Sequence, residues 1–175
     1  MNDKVKALRR SSRSLMVALV HVLLATCYQV MAVECQVSLD LRKGLVGPIT
    51  ILDNPDEIRR KLGAANMQSY TGQSEGQEYR GYKLTFPNQQ TIDANQSFLT
   101  INAIGFRTPE GLGVGSTWRE FRTKYVDGEL SWLDDAGAIW SEKYKFRLYF
   151  KGDKKPALND QVTTIHLNRA GVEPW

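Results

Sequence analysis

Two helix starts set at a fixed interval constrain this chain more than any other feature. "NPDEIRRKLG" opens with Asn54, followed by Pro55, Asp56 and Glu57; "TWREFRTKY" opens with Thr117, followed by Trp118, Arg119 and Glu120. In both, a capping side chain precedes a glutamate by three places, so the two close reciprocally over the free amides of a first helical turn. Pro55 suits the first helical position. At the same offset Ile58 falls on Phe121, Arg59 on Arg122, Lys61 on Lys124 and Leu62 on Tyr125. Each short helix therefore carries one apolar stripe.

The correspondence continues beyond the helices. "YKLTF" (Tyr82 to Phe86) falls on "FRLYF" (Phe146 to Phe150), and "FLTINA" (Phe98 to Ala103) on "VTTIHL" (Val162 to Leu167), both shifted by one further residue. Upstream, "PITIL" falls on "GLGVG". Pairings in one order at nearly one spacing predict an internal duplication. Tyr82, Leu84 and Phe86 share one strand face, as do Tyr144, Phe146, Leu148 and Phe150. Turns are expected where Gly, Asp and Asn gather, in "TGQSEG", "PNQQTIDANQ", "LDDAG" and "KGDKKPALND". The expected fold is α+β: two tandem repeats, residues 33–107 and 108–175, each a short helix plus a three-stranded antiparallel sheet, the two sheets continuous or adjoining and the helices on one sheet face.

The stretch "GLGVGST" invites comparison with phosphate-cradling loops, since an apolar stretch precedes it and a helix follows. Its counterpart "PITIL" has no glycine, however, and no Gly-Lys-Ser/Thr ending is present. A dinucleotide fold also needs a parallel strand returning after a longer helix. The glycines are read as a tight turn into the Thr117 cap, and no cofactor is expected.

The N-terminus reads as a targeting segment. Lys4, Lys6, Arg9, Arg10 and Arg13 precede the apolar run "LMVALVHVLLA", and Val30-Met31-Ala32 suits signal peptidase. Residues 1–32 are thus expected to be a signal peptide, giving a periplasmic or secreted protein; retention as an uncleaved anchor is the plain alternative. "LLATC" offers a second route, lipid attachment at Cys27, and only then is a membrane contact expected. The chain has 23 basic and 19 acidic residues, and removing residues 1–32 leaves 18 of each. The mature protein is then expected to be neutral, its apparent basicity belonging to the export signal and saying nothing about nucleic acid, and no nucleic-acid partner is expected. The two cysteines, Cys27 and Cys35, both lie near the start, so no disulfide braces the body.

The body holds little that marks catalysis. His166 is its one histidine, on a predicted strand and expected to be exposed; no Cys/His spacing suits a metal. Glu57 and Glu120 are accounted for as caps, and Asp134-Asp135 as turn residues. The outward sheet face is more informative. Lys83, Asn102, Lys145, Arg147, Tyr149 and His166 are expected to gather there as a docking surface for an acidic protein partner, with Arg147 and Tyr149 dominant. An ordinary solvated face rich in Lys and Thr is the alternative. Trp132 and Trp140 flank the "LDDAGAI" turn, as a recognition loop or as core.

A secretory signal followed by tandem helix-plus-antiparallel-sheet units resembles the architecture of the β-lactamase inhibitor proteins. A single unit is similar to the small outer-membrane assembly lipoproteins of the SmpA/OmlA type. "GLGVGSTWREFRTKY" resembles the glycine-rich turn and capped helix of uncharacterised exported bacterial proteins. The inhibitor proteins carry a disulfide in each unit, which this body has no cysteines to form. The resemblance implies binding rather than catalysis: an exported, non-enzymatic envelope protein with a protein partner in the envelope. A hydrolase of envelope polymers, or a lipid-anchored assembly or maintenance lipoprotein, is the alternative.

Overall fold

Both capping boxes form as the sequence predicts. In the computed structural model, which describes residues 36–74 and 76–169, helix α1 (Pro55–Leu62) starts at Asn54. The Asn54 side chain accepts from the Glu57 amide at 2.9 Å, and the Glu57 carboxylate accepts from the Asn54 amide at 3.0 Å. Helix α2 (Trp118–Lys124) starts at Thr117 with the same exchange with Glu120, at 3.3 and 2.6 Å. Each exchange satisfies two amides that a helix start leaves open. Ile58 of α1, and Trp118 and Phe121 of α2, are buried. The signal segment, Val30-Met31-Ala32, Cys27, Cys35 and Trp175 lie outside the described residues.

The sheets correct the expected α+β layout of three-stranded units. The body is mostly β. Before α1 come β1 (Val37–Asp40), β2 (Leu45–Val46) and β3 (Ile49–Thr50). After it come β4 (Met67–Ser74), β5 (Gln77–Thr85), β6 (Thr91–Asn95), β7 (Phe98–Ile101) and β8 (Phe106–Arg107). After α2 come β9 (Leu130–Leu133), β10 (Ala138–Ser141), β11 (Phe146–Phe150) and β12 (Val162–Asn168). One sheet has eight strands in the order β4-β5-β6-β7-β12-β11-β10-β9; a second has four, β3-β2-β1-β8, with β1 and β8 parallel. Each helix is thus followed by four strands of the large sheet rather than three. The strands fuse into one sheet because β7 pairs with β12, from Ile101↔Ile165 to Phe98↔Asn168.

The extra strands lie where turns were expected. "PNQQTIDANQ" contains β6, whose Ile92 and Ala94 point into the core while Thr91, Asp93 and Asn95 do not. "TGQSEG" contributes Thr71 to Ser74 to β4, and β5 already begins at Gln77. Alternation is clean along β6, β7 and β11. Leu84, Ile92, Leu99, Ile101, Ile139, Phe146, Leu148, Ile165 and Leu167 belong to one core cluster with Ile58 and Phe121. Arg42 ties the first hairpin to α2: its guanidinium lies 4.5 Å from the Tyr125 ring centre and donates to the Glu110 carboxylate at 2.8 Å and the Lys124 carbonyl at 3.0 Å.

The β4–β5 hairpin extends past the rest of the sheet, since β6 pairs with β5 only from Gly81 onward. There two glycines each face a tyrosine across the hairpin, Gly81 opposite Tyr70 and Gly72 opposite Tyr79. A Cβ on Gly81 would sit 2.4 Å from Tyr70 Cζ, so the ring lies flat over the space a side chain would fill. Gly81→Ala is expected to lift that ring and cost about 1 kcal/mol. The loss should largely vanish in a Tyr70→Ala background, a coupling that a double-mutant cycle by urea unfolding measures directly.

Candidate functional site

The register of the large sheet brings one row of side chains across its outer face. Lys83 faces Asp93, Asp93 faces Thr100, Thr100 faces His166, His166 faces Arg147, and Arg147 faces Trp140. Tyr149 lies one step along β11, opposite Thr164. The structure therefore places Lys83, Arg147, Tyr149 and His166 on the predicted face. Asn102 is exposed but follows the last residue of β7, outside the paired ladder. Lys145 precedes β11 in a turn, with a φ of 55°, and its ammonium bonds the Glu142 carboxylate. Tyr144 and Lys143 also fall in that turn, so the alternation expected from Tyr144 begins only at Phe146.

Aromatic rings surround the middle of the row, and two of them, Phe98 and Trp140, lie outside the set predicted from sequence. The His166 ring centre is 4.6 Å from that of Tyr149 and 5.0 Å from that of Phe98. The Arg147 guanidinium lies 5.6 Å from the Phe98 ring centre and 5.5 Å from that of Trp140. The Trp140 indole N–H donates to Glu142 at 2.6 Å, which fixes the ring. Trp132, by contrast, packs partly buried against the core. The signal for Phe98 and Trp140 is the phase of alternation. Phe98 and Thr100 alternate with buried Leu99 and Ile101, and Trp140 stands between buried Ile139 and Ser141.

His166 departs from the exposed histidine expected on this strand. It is half-buried, and its Nδ1 is buried without a hydrogen-bond partner. Burial, and next the positive charge of Arg147, push its pKa down from 6.5 to about 4. It is therefore neutral at pH 7. At the other end of the row Lys83 shares a shallow depression of about 370 Å³ with Gln68, Tyr70 and Asp93. Burial, and next Asp93, raise the Tyr70 hydroxyl above its ordinary range.

The glycine loop has little capacity for an anion. The Gly111 amide donates to the Thr108 carbonyl, Leu112 to Thr108 Oγ1, Gly113 to Ser116 Oγ and Gly115 to the Val162 carbonyl. The Trp118 and Arg119 amides at the helix start are taken by the Asp160 and Leu158 carbonyls. A phosphate loop needs such donors free. Gly113 is required for a different reason: a Cβ there would sit 2.3 Å from the Phe106 carbonyl oxygen. The loop packs closely on β8 and turns the chain into α2, as the sequence suggests.

Among the described residues no three His, Cys, Asp or Glu side chains are grouped to hold a metal ion. No described helix is long and apolar enough to cross a membrane. No family model matches the chain. No curated protein matches it either. Among solved structures the chain is similar to the uncharacterized protein yfeY from Escherichia coli, with a TM-score of 0.50 and 15% identity, over 76% of this chain and 99% of that one. That likeness concerns the fold alone.

Proposed function

We propose that this chain is an exported envelope protein that works by binding another protein through the outer face of its large sheet. The observation that carries this reading is the cluster of Phe98, His166, Tyr149, Arg147 and Trp140. It is a half-buried patch of rings around one arginine, held in register by three adjacent strands and by the Phe98 end of β7. Aromatic residues and arginine dominate protein interfaces because they cover large area at small entropic cost and bond in fixed geometry. The basic, apolar N-terminal segment supports export. Cleavage after Ala32 gives a soluble periplasmic or secreted form, and lipid at Cys27 gives a tethered one.

The test compares variants on the two sides of the molecule. Once cross-linking in intact envelopes has identified a partner, Arg147→Ala and Tyr149→Ala are each expected to weaken its binding by about 1–2 kcal/mol. Arg59→Ala, on the exposed surface of α1, is expected to leave it unchanged. Titration calorimetry on purified proteins reads both. Equal losses in the helix variant, or none in the sheet variants, would remove the outer face from the function.

A further inference from the structure

Among the described residues, Arg147 is a cation held in place with no acid paired to it. Rings flank its guanidinium on two sides, and its Nε is buried with no hydrogen-bond partner. The ion pairs among the described residues are made by Arg42, Lys43, Arg59, Arg60, Lys61, Lys143 and Lys145. Among the described residues, two acids share the outer face with it. Glu142 is already engaged by the Lys145 ammonium and the Trp140 indole. Asp93 stands three strands away in register with Lys83, about 14 Å off by the spacing of a sheet. His166, the direct neighbour of Arg147 in the ladder, supplies no negative charge in either protonation state.

We infer that Arg147 is a carboxylate-binding anchor: an acidic segment of a protein partner lays an aspartate or glutamate side chain against its guanidinium, beside the rings of Phe98 and Trp140. This rests on the reading that the outer face binds a protein, and it names the chemistry that the partner brings. A planar guanidinium takes a carboxylate through two parallel N–H···O bonds, and the rings hold that plane before the partner arrives. A partner covering Arg147 with apolar groups alone would strand a buried charge, so complementarity selects an acid. A nucleic-acid phosphate is the weaker match. Phosphate backbones need several cations in sequence, whereas this face interleaves Lys83, Lys145 and Arg147 with Asp93 and Glu142.

The experiment uses a capped eight-residue glutamate peptide, with a glutamine peptide of the same length as control. Both are titrated into the purified protein while the side-chain N–H signals of Arg147 and the Trp140 indole are followed by NMR. The glutamate peptide is expected to move both signals and the glutamine peptide neither. Arg147→Gln should weaken binding about tenfold, with Arg147→Lys in between, because lysine keeps the charge and loses the fork. An Arg147 signal that stays put, or equal binding by Arg147→Gln, overturns the inference. Loss of the native partner in Trp140→Ala and Tyr149→Ala but not in Arg147→Gln would also overturn it, while leaving the face as the docking surface. Indifference in all three variants would remove both readings.

Discussion

Phe146→Ala is expected to cost about 3–5 kcal/mol of folding stability. Phe146 is fully buried at the start of β11, between Ser141 of β10 and Leu167 of β12. Its ring meets that of Tyr125 edge-on, with centres 5.4 Å apart, which joins the sheet to the end of α2. Removing the ring loses its transfer free energy and leaves a cavity between a strand and a helix, neither of which can collapse into it. Domains of this size are stable by roughly 5–15 kcal/mol, so the variant approaches the unfolding threshold. Urea unfolding should show a lower midpoint at an unchanged slope. Phe146→Leu, which keeps most of the volume, should lose much less. A loss below about 1 kcal/mol in the alanine variant would mean that this junction is not tightly packed.

Acidification is the second large effect, and His166 sets its first stage. The histidine has a pKa of about 4 in the folded chain against 6.5 when unfolded. The unfolded state therefore binds the proton more readily. Stability linked to His166 is fully present above pH 6.5, falls as pH drops below it, and stops changing below about pH 4. The loss is on the order of 2 kcal/mol once the partial exposure of the ring is allowed for. Glu110, Glu120, Asp127 and Glu142 have carboxyl groups held below their ordinary range, so their contributions are lost at lower pH. Between pH 6.5 and 4.5 the histidine is the main term. Unfolding free energies of the wild type and His166→Asn over that window should differ in slope, with the asparagine variant nearly flat. Parallel curves would show that the ring protonates freely.

How much of this was legible in the sequence depends on the range of the interaction. The capping boxes at Asn54 and Thr117 involve residues three apart, and both form as read. The turns in "LDDAG" and "KGDKKPALND" likewise fall between strands. Strand β6 is hidden because only Ile92 and Ala94 point inward and their neighbours are ordinary turn residues. In β4, "MQSYTGQS" shows no apolar alternation, since an edge strand has one neighbour and buries little. The join of β7 to β12 depends on pairing between residues far apart in the chain, which local periodicity does not encode. The docking face follows the same division. Arg147 and Tyr149 were visible from alternation within one strand. Trp140 and Phe98 become their neighbours only through the register between strands, and Lys145 reaches the face from a left-handed turn rather than from the strand, its ammonium 5.7 Å from the Trp140 ring centre.

The two open edges of the large sheet are unequal. One is β9, short and bracketed by Glu129, Asp134 and Asp135. The other is β4, eight residues long, without a charge or a proline, its backbone paired on one side only among the described residues. Natural sheets discourage strangers at such a border with lysine, proline or a bulge. β4 offers none of these and is uniformly neutral, so nothing in its side chains repels a second copy of itself. Concentrated solutions of this protein would self-associate first along that strand, and a single lysine at Ser69 or Thr71 is the smallest change that would close it.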